Sequence, residues 1–344
     1  MIKLKFGVLP LAQHLSGEDC VQKYNEMVEQ AILLEKYGFS SIWLVEHHVS
    51  EDNFFPPFVT LAGLASHTKK LKIGTGTVIL PFHYPLRIAE DVAMLDVLSG
   101  GRMILGASIG YRREEFTGFR IPYSARTSML EEQIPLLRRL WSEPRVTHRG
   151  KHFTLVDASV NPKPVQRNLP IWIGASGAAP KEALERMARL GDAWFADQST
   201  PLSKHKEVFA IYRQMLKKYG KDFSRIEVPL LREVYIAKDL DTARKDVEMQ
   251  MVGKYRLYFR WNLPILKMCY DREEDITFES LLKDTIIIGS PDECIGQIEK
   301  YGKELGVNHM VFRIQFKGFS HKKTVEAMKL FGEKVIPYFA AKSK

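Results

Sequence analysis

Glu46-His47-His48 brings a carboxyl group and two imidazoles together at the end of an apolar run over residues 41–45. An imidazole titrates near neutrality and moves protons at low cost, so one ring facing a site could serve as general acid or base. Neighbouring strand residues face opposite sides, and the two rings therefore cannot chelate one metal as an ordinary strand pair. The same pair would serve as well to tie the strand end to a neighbour, and spacing alone does not separate these roles. Gly106-Ala107-Ser108-Ile109-Gly110 has the G-x-S-x-G form of a hydrolase elbow. That elbow needs a helix directly after its serine, and Gly118 and Pro122 follow too soon to leave room for one. A run of small residues, Gly174-Ala175-Ser176-Gly177, lies between an apolar stretch and a helical pattern carried by Ala183, Leu184, Met187 and Ala188, with Pro180 at its start. Backbone N–H groups at such a turn can cradle an anion. As a bare pattern it is also an ordinary tight connection. Arg126 precedes a second helix start, where Ser128 and Glu131 have capping-box spacing. Its guanidinium suits phosphate, although a surface ion pair explains a single arginine equally well. No glycine run completes G-x-G-x-x-G, so a Rossmann dinucleotide site is not expected.

The elements that would hold these residues alternate between strand and helix patterns, as in parallel α/β architecture. Eight strands are expected over residues 4–9, 41–45, 71–80, 102–108, 171–174, 193–196, 228–237 and 310–314. The first belongs to an alternating amino terminus, Met1 to Phe6, and the third carries Gly74 and Gly76 inside it. Tyr24, Met27, Val28, Ala31 and Leu34 give the first helix its apolar face, and Gly38 stops it. Eight strands with helices between most of them predict a single (β/α)8 barrel spanning residues 1–344. Two stretches read as insertions. Residues 144–169 form a hairpin around Arg149-Gly150 and then a proline-punctuated loop, while residues 239–285 exceed any barrel connection. The second holds Tyr255, Arg256, Tyr258, Phe259, Arg260 and Trp261, which suit either a helix packed on a barrel or subunit surface or a lid over the barrel mouth.

The 344 residues are 45% hydrophobic and 26% charged, enough apolar side chain for a large core. The net charge of +9 arises from 50 basic against 41 acidic residues and is scattered rather than blocked. A nucleic-acid partner is not expected, and a mild positive field also suits a phosphorylated cofactor. Three cysteines at irregular spacing form neither a metal nor a disulfide pattern and imply a reducing compartment. No signal-peptide core or membrane span is visible, so a cytoplasmic protein is expected.

Several ordered segments resemble the bacterial luciferase-like flavin monooxygenases nearly end to end. They are Trp43-Leu44-Val45-Glu46-His47-His48, Gly74-Thr75-Gly76-Thr77-Val78-Ile79-Leu80-Pro81, Glu90-Asp91-Val92-Ala93-Met94-Leu95-Asp96 and Ser99-Gly100-Gly101-Arg102. Gly289-Ser290-Pro291-Asp292-Glu293-Cys294 and the luciferase-like tail Met328-Lys329-Leu330-Phe331 complete the set. The resemblance implies a barrel that binds reduced flavin mononucleotide (FMN), whose oxygen adduct at C(4a) attacks a small organic substrate. It implies His47 and His48 as mouth histidines, with His47 the acid/base. It places Gly76-Thr77 at a non-proline cis peptide beside the flavin and Ser108 near C(4a), and it assigns Arg126 and Ser176 to the phosphate. A flavin reductase as partner and a homodimer follow from the same resemblance. Departures stand at Ala175 and Ala179, where luciferases have polar phosphate-site residues, and at Ile109, where they have an arginine. The phosphate would then lean on Arg126 and on the N–H groups of Gly174, Ala175, Ser176 and Gly177. A deazaflavin-dependent hydride-transfer enzyme is the alternative, and a non-catalytic flavin-binding protein is a third reading.

Overall fold

In the computed structural model, which describes residues 4–342, the chain opens with strand β1 (Lys5–Val8). The first three residues of the alternating amino terminus lie outside the described residues. Seven further barrel strands follow: β2 (Ser41–Leu44), β3 (Lys72–Thr75), β4 (Met103–Ser108), β5 (Ile171–Ala175), β6 (Ala193–Ala196), β7 (Pro229–Ile236) and β8 (His309–Arg313). Each pairs in parallel with the next, and β8 pairs with β1, so the sheet closes into a (β/α)8 barrel. Parallel strands covered on both faces must be apolar throughout, and β2, β6, β7 and β8 are buried at every position.

The barrel interior is filled by one aromatic-rich cluster. Trp43 stacks on Trp172 with centroids 4.8 Å apart, and Phe195 closes on both. Gly74 makes room for this packing, because a Cβ there would lie 2.3 Å from the Trp43 ring. Ser41 Oγ accepts from the Trp43 indole at 2.8 Å and bonds His309, which satisfies the polar edge of the cluster. The second and larger core lies between the barrel and its helices. Among these are α1 (Cys20–Lys36), α2 (Pro57–His67), α3 (Pro85–Ser99) and α4 (Arg126–Ser142). Asp19 caps α1 through the N–H groups of Val21 and Gln22, and α2 and α3 each begin at a proline, which lacks the N–H that would be orphaned there. The motif Ser99-Gly100-Gly101-Arg102 is a staple below the site. Gly100 ends α3 in the left-handed region, and Arg102 donates to the carbonyls of Ala65, Thr68, Leu71 and Ser99.

Three sequence expectations need correction. The third strand is interrupted, because the Gly76–Thr77 peptide is cis and pairing resumes only at Val78–Ile79. Helix α4 begins at Arg126 itself with Ala125 as its cap residue, so Ser128 and Glu131 form no capping box. Ser128 Oγ instead donates to the Ala125 carbonyl, and Glu131 accepts from Arg186. A short strand, Ile287–Gly289, is not among the eight expected and pairs in parallel with β7. The 144–169 stretch does contain the expected hairpin, Val146–Arg149 with Thr154–Ala158. Residues 239–285 hold a long helix, α7 after the connecting helices α5 (Lys181–Leu190) and α6 (Leu202–Lys218), spanning Leu240–Arg260.

Candidate active site

The carboxyl ends of the strands open into a cavity of about 410 Å³. That volume lies in the range of roughly 300–1,000 Å³ usual for small-molecule and cofactor sites. Most of its wall is apolar, from Val45, Ile79, Ile173, Phe195 and Leu231, and residues of five barrel strands contribute. Thr77 faces Gly174 closely, since a Cβ on Gly174 would stand 2.7 Å from the Thr77 methyl. Ser108 ends β4 beside them and donates to the Val78 carbonyl at 3.3 Å.

His47 lines this cavity and His48 does not. The His47 Nδ1 lies 3.1 Å from Glu115 Oε1, and Glu115 is fully buried. Burial would raise the Glu115 carboxyl, but His47, the His48 N–H and the Arg112 guanidinium hold it below the usual carboxylate range. An ionised carboxylate only accepts, so Nδ1 carries the proton and Nε2 is left free to exchange one. The ring is held edge-on by Phe54 and Tyr111. His48, expected as a second mouth histidine, packs edge-on against Phe119 and Phe82 with Nε2 3.1 Å from Glu46 Oε1. Its place is outside the chamber. Glu46 is buried and also takes the Ile79 N–H at 2.5 Å and His83 Nε2 at 2.8 Å. Burial alone would raise its carboxyl, yet these two imidazoles and the N–H hold it at about 2.

Arg126, Ser176 and the start of α5 also line the cavity. Arg126 lies flat on Tyr123, 3.7 Å from the ring centroid, and gives Nη1 to the Tyr123 carbonyl. Its Nε is buried and has no partner among the described residues, a donor left for a ligand. Arg186 also lines it but is neutralised by Glu131 at 2.7 Å. Of the expected backbone cradle, the Gly177 N–H is spent on the protein itself, as are the next two N–H groups of the turn. The Gly177 N–H goes to Asp197 and Thr200, Ala178 N–H to Ser176 Oγ, and Ala179 N–H to the Ser176 carbonyl. Gly177 does not line the cavity at all; its missing Cβ leaves space for Thr200, whose methyl would otherwise be 2.3 Å away. Gly174, Ala175 and Ser176 do line it, so an anion here would rest on side-chain donors more than on the turn. An orphaned guanidinium nitrogen and a hydroxyl on the wall of one largely apolar chamber fit a phosphorylated ring cofactor.

Glu115, Tyr111, Tyr123, Arg186, Asp197 and Arg313 also line or brace the cavity and leave no mark in the sequence that singles them out; Tyr258 lines it too, and the sequence marks it. Burial pushes the Asp197 carboxyl up, although Thr200, Arg232 and two N–H groups oppose that. Only Tyr258 carried a signal, through the aromatic-basic cluster in which it sits. Residues 239–285 reach the cavity through α7 and the turn after it. Val247, Met251, Tyr255 and Phe259 of α7 are buried, while Tyr258, with Leu263 and Pro264 just beyond the helix, lines the cavity.

The barrel carries at its carboxyl face a histidine braced by a buried carboxylate and an arginine with an unpaired nitrogen. The profile of the family described as luciferase-like monooxygenase matches residues 4–309, and the chain belongs to that family. It is 27% identical over 339 residues to the oxygenase component of flavin-dependent trigonelline monooxygenase from Acinetobacter baylyi, covering 93% of this chain and 91% of that protein. It is also 27% identical over 351 residues to an F420-dependent glucose-6-phosphate dehydrogenase from Amycolatopsis mediterranei, covering 98% and 99%. The crystal structure of monooxygenase RslO1 from Streptomyces bottropensis superposes with a TM-score of 0.83 at 23% identity, over 98% of this chain and all of that one. The protein is therefore an enzyme whose relatives use flavin or the deazaflavin F420. Among the described residues no helix is long and apolar enough to cross a membrane.

Proposed function

We propose that this enzyme uses reduced FMN and molecular oxygen to oxygenate a small organic substrate. The observation that carries the reading is what one cavity brings together: an orphaned Arg126 Nε, a largely apolar wall and His47 locked by Glu115. Reduced flavin, when bound, supplies two electrons, so that one atom of O₂ enters the substrate and the other leaves as water. The chain's own residues do the rest. Arg126 and Ser176 hold the phosphate, while Gly76, Thr77, Gly174 and Ala175 wall the ring. Ser108 borders the same space. Val45, Ile79, Phe195 and Leu231 keep water from the reacting atoms, and His47 moves a proton through Nε2. In this reading α7 is a lid whose Tyr258 covers the mouth, and reduced flavin arrives from a separate reductase.

Arg126 has an unpaired guanidinium nitrogen, which suits a terminal monophosphate. A deazaflavin coenzyme carries a longer polyanionic tail and needs more cations than Arg126 alone. Hydride transfer with deazaflavin is nevertheless the second reading, because of the F420-dependent relative. A purely flavin-storing role leaves the His47–Glu115 pair without a task.

Oxygen separates the readings. The enzyme should bind reduced FMN in an anaerobic titration and consume oxygen only when that complex is mixed with air. Arg126→Ala should weaken FMN by about tenfold or more, as loss of a charge-assisted contact implies, and leave riboflavin affinity unchanged. Full turnover under anaerobic conditions with deazaflavin would replace this reading by the second.

A further inference from the structure

A second cavity, of about 360 Å³, adjoins the first, and Tyr258 and Arg313 line both. Leu11, Leu15, Leu257, Trp261 and Phe316 make its wall largely apolar, and no carboxylate lines it. Three cations do: Lys254, Lys317 and Arg313. Lys254 is neutralised by Glu233 and Lys317 by Asp52. Arg313, the last residue of β8, is 8% exposed, and its guanidinium makes no hydrogen bond or close ion pair among the described residues. Glu233 feels its charge but is already held by Lys254 and by the Tyr255 hydroxyl. A guanidinium buried without a bonded partner is costly, and an arriving anion relieves that cost.

Topology separates this arginine from the phosphate end. In a ring of eight strands β8 lies opposite β4, whereas Arg126 and Ser176 belong to the segments that follow β4 and β5. We propose that the second cavity is the site of the organic substrate, and that this substrate joins an apolar body to a carboxylate bound by Arg313. A planar carboxylate matches the fork of an arginine, and the leucines, Phe316 and Trp261 take the apolar body. Arg313 then places the polar end of the substrate at the junction with the chamber that holds His47. The inference rests on the flavin oxygenase reading for calling the occupant a substrate.

Calorimetric titration with octanoate and its neutral counterpart octanamide tests it, using the full chain with reduced FMN affinity measured separately without oxygen. Octanoate should bind at least about tenfold more tightly than octanamide, as expected for a charge-assisted pair. Arg313→Met should abolish that preference and leave reduced FMN affinity within about twofold, because the phosphate end is untouched. Arg313→Lys should retain part of the preference. Trp261→Ala, on the partly exposed wall, should weaken both probes together and so keeps the test valid if Arg313→Met does not fold. Octanoate that fails to bind, equal binding of the two probes, a preference that survives Arg313→Met, or a parallel loss of reduced FMN in that variant would each overturn the proposal. A wild-type protein that prefers octanoate but ignores reduced FMN would instead sink the oxygenase reading and leave the carboxylate site standing.

Discussion

His47 depends on a carboxylate 68 positions away for its orientation, and that dependence separates it from its neighbour His48. His47→Ala should lower turnover by about a hundredfold while reduced FMN affinity stays near wild type, since general acid–base groups contribute on this scale. Steady-state kinetics beside anaerobic titration checks this, and unchanged turnover would leave His47 a structural residue. Glu46 makes a prediction about stability. Its carboxyl is depressed from 4.5 to about 2 in the fold, a difference on the order of 3 kcal/mol. A depressed carboxyl stabilises the folded state above its unfolded value, and this is lost as pH falls from about 4.5 toward 2. Urea denaturation at a series of pH values should show that acid limb in the wild type and a flatter one in Glu46→Gln. Parallel limbs in the two proteins would assign acid unfolding to other groups.

Helix α7 is the element that couples the barrel to the mouth. Asp239 caps its start through the Thr242 N–H, and the buried Tyr255 hydroxyl donates to Glu233 at 2.6 Å. Tyr258 follows one turn later, at the boundary of both cavities. Tyr255→Phe removes one hydrogen bond to a buried carboxylate that keeps Lys254, so it should cost about 1.5–3 kcal/mol in urea denaturation. No change in midpoint would mean that α7 is held by its apolar face alone. In the sequence this helix was visible only as a cluster of aromatic and basic residues. Its buried face comes from Ala243, Val247, Met251, Tyr255 and Phe259, a helical spacing interrupted by enough polar residues to blur it.

At the scale of the whole molecule, α2 and α3 pack side by side and expose Val59, Met94, Val97 and Leu98 to solvent. Apolar side chains gathered on two adjacent helices are the kind of surface that a second subunit covers. We expect a homodimer through this face. Sedimentation at micromolar concentration should give a dimer for the wild type and a monomer for Leu98→Glu, which would bury a charge in the expected contact. A monomeric wild type would remove the expectation.

The sequence by itself pointed to the barrel, because apolar runs and amphipathic helices report local burial at each position, and a closed ring accounts for eight such runs better than an open sheet does. It also singled out Glu46, His47, Gly76, Thr77, Ser108, Arg126 and Ser176, which line one cavity at the mouth, since strand ends face the mouth in this architecture. The tertiary structure alone decided which histidine enters the chamber, that Glu115 orients it, that the Gly177 N–H serves Thr200 and Asp197, and that Arg313 is buried without a bonded partner. Periodicity reports which side of an element is covered, not what covers it. Pairings across a closed ring depend on register and closure between segments far apart in the chain, and these leave no local trace.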